Sequence, residues 1–216
     1  MIDFAVRTLP FLWDGLLVTL HVSAVVLVVS LALGVAAGVG FAYGPLWVRA
    51  PLRLCSDVLR GTPLLVLIFC VYYLLPFAGL NLQPFPAAVI ALSAFKAAHV
   101  AEIARGAISS IAPGQVDAGK AIGLTFAQRL AWVIFPQALR RFLPPWVNSV
   151  TDTVKGSSLV SLVGIVDLML AAQQVIGRTY EPLPVYVLAA LMYFAINYAL
   201  SVASRRLEAR FAYIRE

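Results

Sequence analysis

Residues 114–136 read GQVDAGKAIGLTFAQRLAWVIFP, a polar and basic island between long apolar segments that make up most of the chain. Pro113 suits the first position of a short helix, where its missing N–H has no partner in any case. Gly123 can close that helix in the left-handed conformation that other residues avoid. A second apolar run then begins and meets Pro136. The flanking segments read as membrane spans, so the island is a long loop held at a membrane face. A compact polar helix followed by a return into the membrane is well built to be gripped from the aqueous side by something outside the chain.

Of the 216 residues, 62% are hydrophobic and 12% charged, with a mean hydropathy of +0.91; soluble domains have about a quarter of their residues charged. The chain is therefore expected to be an all-α integral membrane protein. It opens MIDFAVRTLPFLWDG and runs into an apolar stretch longer than a signal-peptide core, so no cleaved signal is expected. The net charge of +6 is spread over several loops and tails, which suits orientation in a membrane and gives no footprint for nucleic acid. Cys55 and Cys70 offer neither a disulfide framework nor metal-site spacing.

A helix needs roughly 20 apolar residues to cross the hydrocarbon core, and five runs qualify: 16–41, 63–80, 87–108, 143–170 and 183–203. The fourth begins with a polar half, WVNSVTDTVKGSS, and calls for tilt, a break or burial among other helices. Residues 1–216 are thus expected to form one transmembrane domain with no room for a soluble one. Arg49, Arg53, Arg60, Arg105, Lys120, Arg129, Arg140, Arg141, Arg205, Arg206, Arg210 and Arg215 fall on one side, and only Arg7 and Arg178 on the other. Basic residues stay inside, so the N-terminus is expected outside, and the C-terminus and the 114–136 loop in the cytoplasm. Segment 171–184 is then the one sizeable outer connection. Ser23, Ser30, Gly34, Ala36, Ala37, Gly38 and Gly40 give the first span the small residues that close helix packing in lipid uses.

The stretch GQVDAGKA at 114–121 nearly matches the phosphate-cradling pattern G-x-x-x-x-G-K-[ST]. Ala121 cannot ligate magnesium, however, and a membrane helix stands where the pattern needs a strand. A different pattern fits. Asp117, Ala118 and Gly119, then three residues to Gly123, nine to Val133 and finally Pro136, resemble the EAA loop of the permease subunits of ABC importers. That pattern is E-A-A, three residues, G, nine residues, I-x-L-P; Asp117 stands for the glutamate, Gly119 for the second alanine, Val133 for the isoleucine and Phe135 for the leucine. RGTPLLV at 60–66, AEIARGAISSI at 101–111, PQALRRFLPPWVNS at 136–149 and KGSSLVSLVG at 155–164 resemble the polar amino acid branch of that family, in the expected order. The resemblance implies a type I ABC importer permease in a bacterial cytoplasmic membrane. It also implies that Gly114, Asp117, Ala118, Gly119, Gly123 and Pro136 belong to a coupling helix and loop that dock on a cytoplasmic ATPase.

The chain departs from the family pattern where substrate would pass. Lys155, Gly156, Ser157 and Ser158 replace K-D-T-S, and His99 stands in place of the usual tyrosine. At about 100° per residue, Lys96, His99 and Glu102 share a third of the circumference of the third span. Asn148, Thr151, Asp152, Lys155 and Ser158 share a similar arc on the fourth. An ionisable side chain at bilayer depth costs at least about 2.5 kcal/mol unless paired or wet, so both arcs should face the bundle or a water-filled cavity. Lys96, His99, Asp152, Lys155, Ser157 and Ser158 are the candidate substrate residues; two ammonium groups beside hydroxyls suit the carboxylates of an amino acid. Equally, Lys155 can pair with Asp152 one turn back, Lys96 can meet a partner in another subunit, and His99 can be a buried hydrogen-bonding residue. Glu102 and Arg105 read as an intrahelical ion pair or a contact to the 114–136 loop.

By resemblance the chain works as a dimer with itself or a paralogue, above two cytoplasmic ATP-binding subunits. Those subunits hold ATP and magnesium; this chain is expected to carry no cofactor and to catalyse no covalent chemistry. A substrate-binding protein delivers cargo from outside, and acidic or amide side chains are favoured by the likeness of SAFKAAHVAEI at 93–103 to acidic amino acid permeases. Two other classes remain at this point: a gradient-driven carrier or channel, which would not need the 114–136 loop, and a membrane enzyme using His99 and Glu102, which lacks an accompanying nucleophile or metal triad.

Overall fold

The structure, a computed structural model, describes the backbone of residues 2–212 and the side chains of residues 7–206. Arg210 and Arg215 of the orientation count lie outside the described side chains. Every regular element is helical among the described residues. Helix α1 (Ile2–Tyr43) and helix α4 (Pro84–Ser109) make the most extensive contact. Glycine permits it: a Cβ on Gly34 would lie 2.5 Å from the Val100 Cβ, and one on Gly38 would lie 2.5 Å from the Ala104 Cβ. The spacing is small-x-x-x-small, which lets two backbones approach where lipid offers no hydrophobic drive.

Helix α2 (Leu46–Gly61) occupies a stretch expected to be a loop. It was hidden by three arginines, yet Val48, Leu52 and Leu59 recur at helical spacing on its less exposed side. Helix α3 (Leu64–Phe69) continues through a wide π turn (Cys70–Leu74) and a 3-10 turn (Leu75–Ala78) and lies at 107° to α2. After Gly79, at φ 83°, helix α4 begins at Pro84, three residues before the start at 87 expected for the third span.

Helices α5 (Pro113–Ala121) and α6 (Phe126–Arg129) form the polar loop. A second π turn (Leu130–Ile134) joins α6 to α7 (Phe135–Ser157). Both π turns have one physical cause. Pro76 and Pro136 lack an N–H and push against the carbonyl four residues earlier, Tyr72 and Trp132, and a widened turn relieves that clash.

The fourth span is not continuous to Leu170. Helix α7 tightens into a 3-10 turn (Ser158–Val163), stops at Gly164 (φ 86°), and α8 (Leu168–Thr179) starts afresh at a 50° bend. Most of the expected outer connection is thus α8, followed by α9 (Pro182–Ala212). Three helices are individually long and apolar enough to cross a membrane, and up to five spans result if each bent pair counts as one.

Hydrogen bonds stitch the break to α1. The Asp167 carboxylate accepts from the Leu170 N–H at 2.9 Å and from the Tyr193 hydroxyl at 3.4 Å. The Leu168 N–H donates to Thr19 Oγ1 at 3.1 Å, and Ser23 meets Ser157 hydroxyl to hydroxyl at 3.1 Å. Irregular backbone at membrane depth is tolerated only where protein satisfies it in this way. The core follows the same division: Val22, Val26, Ile68, Leu92 and Val160 pack together on one side, and Leu12, Leu16, Leu168, Val175 and Val185 on the other. Leu183, Val187, Leu191 and Phe194 of α9 face outward.

Candidate functional site

Two places carry the candidate residues. The first is α5. Pro113 stands at its first turn, and its end is a double turn: the Leu124 N–H reaches the Gly119 carbonyl at 3.0 Å and the Gly123 N–H reaches Lys120 at 2.9 Å. Gly123 is in the left-handed region at φ 78°, where the residue after a helix must sit for these bonds to form. Thr125 then opens α6 with a reciprocal capping box to Gln128.

Beneath α5, Val116 packs on the small core of Ile111, Ile134 and Ala138. Gly119 is buried under Arg129, whose Cγ would lie 3.1 Å from an added Cβ, and the Arg129 guanidinium donates to the Leu124 carbonyl at 2.7 Å. Gly114, Asp117, Ala118, Lys120, Ile122 and Gly123 face outward, with Asp117 and Lys120 paired to each other at 2.9 Å. Pro136 is also exposed. The result is a short braced helix with small residues on its free face and Ile122, 77% exposed, at its end.

The second place is the contact between α4 and α7. Lys96, at the midpoint of α4, is only 9% exposed and makes no ion pair among the described residues, while Asp152 of α7 is exposed. Among the described residues no ion pair joins Asp152 to Lys155, and Lys155 is exposed. His99 bonds the Phe95 carbonyl through Nδ1 at 2.9 Å and lies against the Phe95 ring. Ser158 donates to the Lys155 carbonyl at 2.8 Å. Ser157 stands apart from this group, fully buried and bonded to Ser23 of α1 and to the Val154 carbonyl.

At the α5 end of α4, Glu102 accepts from Arg105 at 2.8 Å and stands 3.6 Å from Arg60 of α2. The intrahelical pair was legible from its spacing. Arg60, which ties the α2–α3 corner to α4, was not, because its partner is distant in sequence.

The family model of binding-protein-dependent transport system inner membrane components matches residues 29–213. The chain belongs to this family. It is similar to the probable glutamine ABC transporter permease protein GlnP of Bacillus subtilis (strain 168), 39% identical over 206 residues that cover 94% of each chain. It is also similar to the glutamine transport system permease protein GlnP of Escherichia coli (strain K12), 36% identical over 205 residues, 94% of this chain and 93% of that one. The crystal structure of an amino acid ABC transporter with histidines aligns with a TM-score of 0.89 and 31% identity, covering 95% of this chain and 96% of the other. The all-helical architecture is thus the type I ABC permease fold.

In this inner membrane component the residues that sequence inspection passed over are Asp167, Tyr193 and Thr19. The signal was available: Gly164 followed by Asp167 three residues before Leu170 is a helix stop and a new N-cap. It was masked because Leu159–Leu170 is apolar enough to pass for one continuous span.

Proposed function

We propose that the chain is the transmembrane subunit of an ATP-driven importer of a polar amino acid, with acidic or amide side chains favoured. The observation that carries this is α5: a helix braced on its inner face by Val116 and Gly119, closed by a glycine at φ 78°, and offering small side chains outward. Such a helix fits a cleft and passes force into α7 through the stiff Arg129 and Ile134 contacts. Gly114, Asp117, Ala118, Gly119, Gly123 and Pro136 form the face and frame of the docking element. Two cytoplasmic ATP-binding subunits grip it and hold ATP and magnesium themselves. The N-terminus lies outside and the C-terminus in the cytoplasm of a bacterial inner membrane, with residues 1–216 as one transmembrane domain.

A second permease copy or a paralogue completes the pathway, and an extracytoplasmic binding protein delivers the substrate. Closure of the ATPases swings the α5 elements and alternates the access of a fixed site. At that site Lys96 and Lys155 receive carboxylate, with Asp152, His99 and Ser158 completing the polar wall, while Ser157 acts from behind it by fastening α7 to α1. The relatives' glutamine-transport names support the amide preference.

The test is co-purification from detergent-solubilised membranes together with substrate uptake in cells. Gly123→Arg should lose both the ATP-binding subunit and uptake, whereas Gly177→Ala, where an added Cβ meets nothing within 4 Å, should keep both. Retained uptake in Gly123→Arg, with no ATPase bound, would overturn the importer assignment.

A further inference from the structure

Helix α2 presents three faces. Val48, Leu52, Ser56 and Leu59 are half-buried or buried, and Leu52 fills the space beside Gly40 of α1. Trp47, Leu54 and Val58 form an apolar face that the protein leaves open, with Trp47 78% exposed. Between these, Arg49, Arg53 and Arg60 share an arc with Asp57, the helix's one acid. Arg60 is drawn to Glu102 and Arg49 donates to the Gly44 carbonyl at 3.2 Å, while Arg53 has no ion pair among the described residues.

The direction of the helix adds a second observation. It leaves the end of α1 and meets the segment beginning at Leu64 at 107°. When that segment crosses the bilayer, α2 lies along the bilayer surface. A protein partner with a purely apolar pocket would leave the arginine arc unmatched, and water would leave the tryptophan face unmatched; a headgroup boundary matches both.

We propose that α2 is an interfacial helix that binds anionic phospholipid on the membrane face that carries α5. Trp47, Leu54 and Val58 enter the boundary between headgroups and acyl chains, and Arg49 and Arg53 hold the phosphates. This rests on the chain being a membrane component and not on its transport role.

Native mass spectrometry of the intact complex, stripped of lipid and titrated with phosphatidylglycerol or phosphatidylcholine, reads the charge selectivity. Wild type should retain phosphatidylglycerol preferentially, and Arg49→Gln with Arg53→Gln should weaken that retention by about fivefold per arginine while leaving phosphatidylcholine unchanged. Equal retention of phosphatidylglycerol by variant and wild type would overturn the proposal. Trp47 fluorescence, taken as the difference between wild type and Trp47→Phe in vesicles of the same two lipids, gives an independent readout on protein without the arginine changes. Quenching by lipids brominated near the headgroup supports the proposal. Quenching by aqueous iodide alone, or protection from both quenchers because a protein subunit covers the face, overturns it.

Discussion

Lys96 is the residue whose position demands most of its surroundings. A lysine at the midpoint of an apolar helix is stable only with water or a counter-charge, and buried Lys96 has no ion pair among the described residues. If substrate carboxylate supplies that counter-charge during transport, Lys96→Ala should lower uptake by about ten- to a hundredfold, the worth of one charge-assisted hydrogen bond. The subunit should still assemble, because the change removes a buried charge and leaves no donor stranded. Uptake of radiolabelled glutamine and glutamate, with size-exclusion chromatography of the variant, checks both halves; full uptake would remove Lys96 from the site. The polar arc on α7 was readable because 3.6-residue spacing decides which side chains share a face: Asn148, Asp152 and Lys155 emerge together on the exposed side. Ser157 came in through motif likeness, outside the arc, and the structure places it on the opposite side against α1.

At the scale of the element, α1 and α4 are held by shape. Gly38→Leu would set a Cβ 2.5 Å from the Ala104 Cβ and 2.8 Å from the Ala101 carbonyl oxygen, with backbone on one side and no flexible atom to yield. Overpacking of this kind costs about 1–3 kcal/mol or more, so a clear drop in the melting temperature of the detergent-solubilised subunit is expected. Gly106→Ala on α4, with nothing within 4 Å of the new Cβ, should match wild type. At the break in the fourth span, Asp167→Ala removes the cap of α8, strands the Leu170 N–H and takes an acceptor from the Tyr193 hydroxyl. A loss of about 1–3 kcal/mol is expected, and Asp167→Asn, which still accepts from the Leu170 N–H, should recover much of it in the same thermal measurement. Helix α5 was legible end to end because proline and glycine announce both of its boundaries. Helix α2 was not, since Pro51 and three arginines resemble a loop, and its apolar spacing makes sense only once a bundle stands beside it.

For the molecule as a whole, the proposed orientation puts α2, α5 and the end of α9 on one side of the membrane and the α8–α9 corner on the other. Ile122 and Tyr180 are 77% and 85% exposed and mark the two sides. In a background with Cys55 and Cys70 replaced by serine, Tyr180→Cys should react with an impermeant maleimide in spheroplasts and Ile122→Cys only in inverted vesicles. The reverse pattern would invert the orientation.

The bonds that fasten α1 to the broken span also bear on how the chain is made. Thr19 and Ser23 meet their distant partners, Leu168 and Ser157, across 149 and 134 residues of sequence. When α1 leaves the ribosome, those partners have not yet been translated. Both hydroxyls, however, also bond within their own helix, Thr19 to the Gly15 carbonyl at 3.1 Å and Ser23 to the Thr19 carbonyl at 2.7 Å. The nascent helix can therefore enter lipid with its polar groups already satisfied and wait there, its acceptor lone pairs ready, until the rest of the polypeptide has been synthesised.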